Sequence, residues 1–216
     1  MCIRDRLGPY TKSKIESEKI AREFQQNGVP VNIVYPGGIF GPKDPNPNLS
    51  DSMGMLTEIL KRNLGLTASS AKLAMVDVRD VANVCVGALE VESKNARYHA
   101  WGELVTMDQV IDLVKKITDR NIRFYSTPLF LLDAMGTFGE VFTLATRIRL
   151  PFAKESMKMF TQNARVNGPG KIDQSRANND FGFQSISLEE SLKDALLWLH
   201  QAGHLTDKQS GKLANI

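Results

Sequence analysis

The sequence predicts an α/β protein with a partial, largely parallel sheet and a mostly helical second half. Three observations carry that prediction. Short β-branched runs alternate with amphipathic stretches through residues 7–127, and alternation of this kind builds parallel sheets covered by helices. Several of the amphipathic stretches open on recognisable capping residues. Beyond residue 128 the apolar spacing is helical almost throughout.

Tyr10 to Gln26 has helical spacing and stops at Asn27-Gly28, a common helix ending because glycine takes the left-handed conformation without a Cβ clash. Val31 to Tyr35 is short and β-branched, the pattern of a buried strand. Pro36 to Ser52 is rich in Gly, Pro, Asn and Asp and reads as one long loop; loops of that length inside compact domains are usually functional. A helix over Met53–Arg62 and a strand near Lys72–Val76 follow. Asp80 is the expected N-cap of a helix through Val81, Val84, Cys85, Ala88 and Leu89. Tyr98 to Trp101 reads as a strand, and Thr106 to Gln109 as a capping box opening the helix Val110–Ile117. Asn121 to Tyr125 is a further strand. Ser187 to Glu190 is a second capping box, opening a helix through Leu192, Ala195, Leu196 and Leu199. The tail after Gly203 is expected to be loosely ordered.

Composition narrows the function. The 216 residues carry 27 basic and 24 acidic side chains, a net charge of +3, with no basic run that would mark a nucleic-acid partner. Cys2 and Cys85 offer neither a disulfide framework nor metal-ligand spacing. His200 and His204 share a helical spacing but have no third ligand nearby, so they read as solvent-facing residues at a helix end and no metal is expected. No leader with an apolar core is visible, and the expected compartment is the cytoplasm. The apolar stretch Pro128–Pro151 is broken by Asp133, Glu140, Arg147 and Arg149, short of the roughly 20 apolar residues a spanning helix needs. No membrane partner is therefore expected. Leu129–Leu150 is expected instead to cover a substrate cleft, with Leu129, Leu132 and Met135 or Gly136, then Phe138, Val141, Phe142 and Ala145, forming its apolar stripe and Asp133, Glu140 and Arg147 off it.

The strongest chemical signal is Pro9-Tyr-Thr-Lys-Ser-Lys14. Tyr10 and Lys14 are four residues apart and share a helix face. An ammonium beside a phenol favours the phenolate, which lets the tyrosine exchange a proton with an alcohol as hydride leaves or reaches its carbon. The second signal is Val31-Asn-Ile-Val-Tyr-Pro-Gly-Gly-Ile-Phe-Gly-Pro42. Its glycines do not form a pyrophosphate-binding turn, because such a turn must open directly into a helix and here Pro-Lys-Asp-Pro-Asn-Pro follows. They instead permit a sharp exit from the strand and close approach by a ligand. Asp77 and Asp80 within Val76-Asp-Val-Arg-Asp-Val-Ala82 are expected to be structural, Asp77 orienting a loop.

Taken in order, Pro9-Tyr-x-x-Ser-Lys14 with Glu16 and Glu18, then Pro36-Gly-Gly-x-x-Gly-Pro42, Val78-x-Asp-Val-Ala82 and Arg176-Ala-Asn-Asn-Asp-Phe-Gly-Phe183 resemble the extended short-chain dehydrogenases/reductases, also called the NAD-dependent epimerase/dehydratase family. The likeness runs from about Leu7 to Gln201 and is nearest to single-step reductases of the dihydroflavonol-reductase kind. It implies a Rossmann-like sheet and NAD or NADP as cofactor. It implies Tyr10 as catalytic acid/base, with Lys14 tuning it, and both touching the nicotinamide ribose. Pro36, Gly37, Gly38 and Ile39 would lie against the nicotinamide. The implied partner is a small-molecule ketone or secondary alcohol, and a homodimer stays open.

The family's N-terminal glycine turn, its ribose selector and its upstream Ser or Thr have no counterpart here. The chain is accordingly expected to be the C-terminal portion of such an enzyme and inactive by itself, its sheet showing an unpaired edge. The organisation expected is a non-family start over 1–6 and a Rossmann-type part over 7–127 with a substrate loop at 41–72. A helical substrate region over 128–203 and a tail over 204–216 complete it. Two other readings stay open: a nucleotide-sugar epimerase or dehydratase, for which Arg147, Arg149 and Arg165 could grip a diphosphate, and a non-catalytic dinucleotide-binding scaffold.

Overall fold

The computed structural model describes residues 8–68, 71–92, 95–147, 154–165 and 172–216. Pro9 opens α1 (Pro9–Gln26), a position where its missing N–H would have had no partner anyway. The helix ends at Asn27, followed by Gly28 at φ +78°. The chain returns as β1 (Ile33–Pro36), steps through Gly37, and continues as β2 (Gly38–Phe40). α2 (Asp51–Arg62), β3 (Leu64–Thr67), β4 (Lys72–Asp77) and α3 (Val78–Glu90) follow, then β5 (Arg97–Ala100), β6 (Glu103–Thr106), α4 (Met107–Thr118) and β7 (Arg123–Ser126). The helices of the described remainder are α5 (Leu129–Thr146), α6 (Lys154–Arg165), α7 (Ser175–Phe181), α8 (Leu188–Gln201) and α9 (Asp207–Ser210), with a closing 3-10 turn at Gly211–Asn215.

Strand pairing is parallel except at one place. β1 pairs with β5, placing Tyr35 opposite His99; β2 pairs with β4, placing Phe40 opposite Asp77; and β3 pairs with β7. Among the described residues β6 alone runs antiparallel, against β4. The chain thus changes partner at Gly37, leaving β5 and joining β4 within one residue. A Cβ there would meet Trp101 O at 2.8 Å and Ala74 O at 3.0 Å, both rigid backbone, so only glycine fits. Among the described residues β1 pairs with β5 alone, which leaves its outer edge unpaired.

The main core lies under β4 and β6. Met53, Leu56 and Leu60 from α2, Val110, Ile111 and Val114 from α4, and Leu192, Leu196 and Leu199 from α8 meet there. A smaller cluster joins Val84 and Ala88 of α3 to Tyr98, Ala100 and Ala177. The Tyr98 hydroxyl, taken out of water, donates to Asp180 at 2.8 Å and so ties α7 to β5.

Several expectations need correction. The segment Pro36–Ser52 is not one loop, since it contains β2 and ends in the first turn of α2. β3 and β6 are four-residue strands that the pattern did not reveal. Asp77, not Asp80, caps α3, accepting from Arg79 N. Asp80 sits a turn further on, buried, and accepts from Ile186 N at 3.0 Å. Burial pushes its carboxyl above the usual range, Ile186 opposing and nearby Asp77 reinforcing. The tail is packed: Leu205 and Leu213 join the core, and Arg120 Nη1 donates to Gln209 O at 2.7 Å. His200 is not solvent-facing, being 20% exposed with Nδ1 at 3.4 Å from Leu205 O. His204 packs on the Trp198 ring.

α5 is a helix as expected up to Thr146; residues 148–150 of the stretch lie outside the described residues. Its orientation differs from the reading above. Leu132 is buried against Ala68 and Ala71, with Leu129, Met135 and Phe160 packed around it. Asp133 faces α6, where it accepts from Thr161 and Arg165. Burial raises its carboxyl, but the Thr161 and Arg165 bonds outweigh that and hold it below the usual range. Phe138 and Val141, expected to point inward, are exposed.

Candidate active site

Tyr10 and Lys14 stand one turn apart on α1, and the Lys14 Nζ lies 5.4 Å from the centre of the Tyr10 ring. An ammonium over a ring face is attracted by the ring's quadrupole. The Tyr10 side is open: the residue is 55% exposed, and α1 buries none of its residues. The site therefore rests on a helix held by polar latches rather than by packing.

Two latches define how α1 lies. The Tyr35 hydroxyl, at the end of β1, donates to Glu18 Oε1 at 2.8 Å, and Arg22 Nε donates to the same carboxylate oxygen at 2.8 Å. At the other end Gln25 Nε2 donates to Val31 O at 2.8 Å. α1 thus runs antiparallel to β1, with Glu18 level with the strand's carboxyl end. Tyr10, eight residues earlier, lies about 12 Å further along the helix axis at 1.5 Å per residue, beyond the carboxyl end of β1. The Tyr35 bond holds the Glu18 carboxyl below its usual range, burial opposing and Arg22 adding. Burial pushes the Tyr35 phenol up, and its bond to Glu18 adds to that.

Tyr35 stacks on His99 with ring centres 5.1 Å apart, and His99 meets Trp101 edge-on. This aromatic set lies at the carboxyl ends of β1 and β5, the region outside which ligands bind in open α/β sheets. Pro36, Gly38 and Ile39 are exposed there, whereas Gly37 is half-buried. Gly37 N–H donates to Ala100 O at 2.9 Å, so it serves the fold. Gln174 closes the adjacent turn, accepting from Trp101 N at 2.8 Å and Gly102 N at 3.1 Å and donating to Gly102 O at 3.0 Å.

Behind this end of the sheet is a charged network that sequence reading missed. Asp77, with its side chain fully buried, takes bonds from Arg79 N at 2.8 Å, Arg79 Nε at 2.9 Å, Arg79 Nη2 at 2.8 Å and the Ser191 hydroxyl. Arg79 also reaches Asp194 at 2.7 Å. Burial alone would raise the Asp77 carboxyl; the Arg79 and Ser191 bonds outweigh it and hold it below its usual range. Asp77 so joins β4 and α3 to α8. Of the cations considered for a diphosphate grip, Arg165 pairs with Asp133, Arg147 closes α5 in the left-handed conformation, and Arg149 lies outside the described residues.

The parallel strands, the partner switch at Gly37 and the helix latched along β1 are those of an α/β protein with a Rossmann-like fold. The model of an NAD-binding family described as male sterility protein matches residues 3–85. A putative dihydroflavonol 4-reductase from Synechocystis sp. is 25% identical over 92% of this chain and 57% of its own length. Sterol demethylase protein B from Methylococcus capsulatus is 24% identical over 90% of this chain and 57% of its own. Among solved structures, a nucleoside-diphosphate-sugar epimerase from Pseudomonas aeruginosa matches with a TM-score of 0.69 and 20% identity, over 95% of this chain and 59% of that one. The chain thus spans less than two thirds of the length of each of these proteins. The family model, the relatives and the shared fold together support an extended short-chain dehydrogenase/reductase family member.

Proposed function

We propose that the chain supplies the catalytic helix and substrate half of an NAD(P)-dependent reductase acting on a ketone or secondary alcohol. The observation that carries this reading is the Lys14 ammonium over the Tyr10 ring, on the open part of a helix latched along β1 by Glu18 and Tyr35. Lys14, Tyr10 and the Pro36–Ile39 turn would hold the nicotinamide riboside. Gly38 is exposed there and has no side chain of its own to obstruct that approach. No described segment joins a strand and a glycine turn directly to a helix start, so the pyrophosphate gets no cradle from these residues.

When bound, the dinucleotide supplies or accepts the hydride. In the reducing direction the carbonyl carbon gains that hydride while the Tyr10 hydroxyl donates its proton to the carbonyl oxygen. The Lys14 ammonium stabilises the phenolate left behind. In the oxidising direction Tyr10 takes the alcohol proton back. The names of the relatives, a dihydroflavonol reductase and a sterol-processing protein, favour an apolar polycyclic substrate over a sugar nucleotide. The epimerase reading loses support from Arg165, which Asp133 already engages.

The test uses a protein carrying this sequence joined to a dinucleotide-binding half. Tyr10→Phe should lower turnover by about 10²–10⁴-fold, the usual contribution of a general acid or base, with cofactor affinity nearly unchanged. Unchanged turnover would remove Tyr10 from the mechanism. The 216-residue chain titrated alone with NADH should show no saturable micromolar binding, and such binding would reveal a pyrophosphate site that the described residues do not provide.

A further inference from the structure

α1 buries none of its residues. Those that are partly covered, Thr11, Glu18, Ala21 and Gln25, fall within about 80° of arc at 100° per residue and are small or polar. Side-chain packing therefore gives the helix little hold on its rotation, and directional hydrogen bonds must supply it. The bond from the Tyr35 hydroxyl to Glu18 Oε1, at 2.8 Å, is braced from both ends. The Tyr35 ring stacks on His99 with planes 21° apart, which sets where its hydroxyl points. Arg22, one turn along α1, donates from Nε to the same carboxylate oxygen at 2.8 Å, with Nη2 also at 2.8 Å, and so orients the carboxylate.

This bond joins the two parts of the proposed nicotinamide site. Tyr10, Lys14 and Glu18 follow one another at four-residue intervals and lie within about 80° of arc. Tyr35 immediately precedes the Pro36–Ile39 turn. The other bond holding α1, from Gln25 to Val31 O, is about 22 Å along the axis from Tyr10 and governs the far end. With side chains about 5–6 Å from the axis, a rotation of about 10° moves the Tyr10 side chain by about 1 Å. A misplacement of that size can cost about 10²-fold in rate.

We propose that Glu18 and Tyr35 are positioning residues, their hydrogen bond setting the rotation of α1 so that Tyr10 meets the substrate carbonyl beside the Pro36–Ile39 turn. The proposal rests on the reading of Tyr10 as the proton donor. Both residues act through Tyr10 rather than on the reacting atoms.

The test is a mutant cycle in a protein carrying this sequence joined to a dinucleotide-binding half. Tyr35→Phe keeps the ring on His99 and removes only the hydroxyl. It should lower kcat and kcat/KM together by about tenfold or more, with KM for the ketone and the unfolding temperature little changed. Glu18→Ala should lower kcat likewise, and Glu18→Gln, which keeps an acceptor oxygen at the same reach, should recover most of the loss. In a Tyr10→Phe background Tyr35→Phe should cost nothing further, because a residue acting through Tyr10 has nothing left to position. Full turnover in Tyr35→Phe, where Tyr10→Phe has lost it, would overturn the latch alone. So would an equal loss from Tyr35→Phe in both backgrounds, or a loss that only tracks a lowered unfolding temperature. Full turnover in Tyr10→Phe itself would remove the reading of Tyr10, and the latch with it.

Discussion

α1 and α8 are both amphipathic, α8 the more apolar of the two, and they have opposite relations to the rest of the molecule. α8 buries Leu188, Leu192, Ala195, Leu196 and Leu199 in the main core. α1 buries nothing and leaves Ile15, Ile20 and Phe24 exposed. Yet α1 carries the candidate catalytic pair, and α8 carries no candidate site residue. The difference teaches that the candidate site and the stabilising core are housed separately: α1 is held along β1 by a few hydrogen bonds, on a scaffold stabilised elsewhere. Substitutions can probe the two functions one at a time.

The largest stability effect is expected at the centre of α8. Leu196→Ala removes a fully buried side chain, and such truncations cost about 2–5 kcal/mol. Denaturant unfolding should register that loss, and a change below about 1 kcal/mol, the size of an ordinary surface effect, would mean that the core is not where these contacts put it.

Asp77 should come next. Asp77→Asn keeps the shape but weakens the bonds to Arg79 and Ser191. Removing one member of a buried charged network costs up to several kcal/mol; with Arg79 partly exposed, about 1–3 kcal/mol is expected. The pH dependence has a definite sign. The folded Asp77 carboxyl titrates below its unfolded value, so its contribution is present above about pH 4. It fades as pH falls through the lower folded value. The gap between wild type and Asp77→Asn should therefore be widest near neutrality and close in acid. A gap that widened in acid would contradict the network.

The smallest effect belongs to α1. Phe24→Ser exchanges an exposed aromatic for a polar residue and should move stability by no more than about 0.5 kcal/mol. Measured by the same unfolding experiment, a loss of 2 kcal/mol, on the scale of a core truncation, would show that α1 is packed in solution and would break the comparison.

What could be read in the sequence divides along the same line. The Tyr10–Lys14 face was legible because both residues lie on one helix at a fixed spacing, and Thr106 with Gln109 was legible because a capping box is local. The Glu18–Tyr35 latch was not, since it depends on how α1 lies along β1, although Glu18 does continue the four-residue spacing from Tyr10 through Lys14. Asp77 and Asp80 were exchanged because either could cap the helix, and only the last residue of β4 decides where α3 begins. β6 escaped because four residues after Gly102 give too short an alternation to read. α5 was legible as a helix but not in its orientation. With apolar residues on nearly every side, periodicity cannot say which side is inward until Asp133 meets Arg165.

The most direct test of the separation is Lys14→Met, made in a protein carrying this sequence with a dinucleotide-binding half. Thermal unfolding and turnover should be measured together. Lys14 is exposed on a helix that buries nothing, so the unfolding temperature should not move. Turnover should fall by about 10²-fold or more if, as proposed, the Lys14 ammonium supports the Tyr10 phenolate. A variant that keeps its turnover, or one that loses it only in step with a lowered unfolding temperature, would contradict the account.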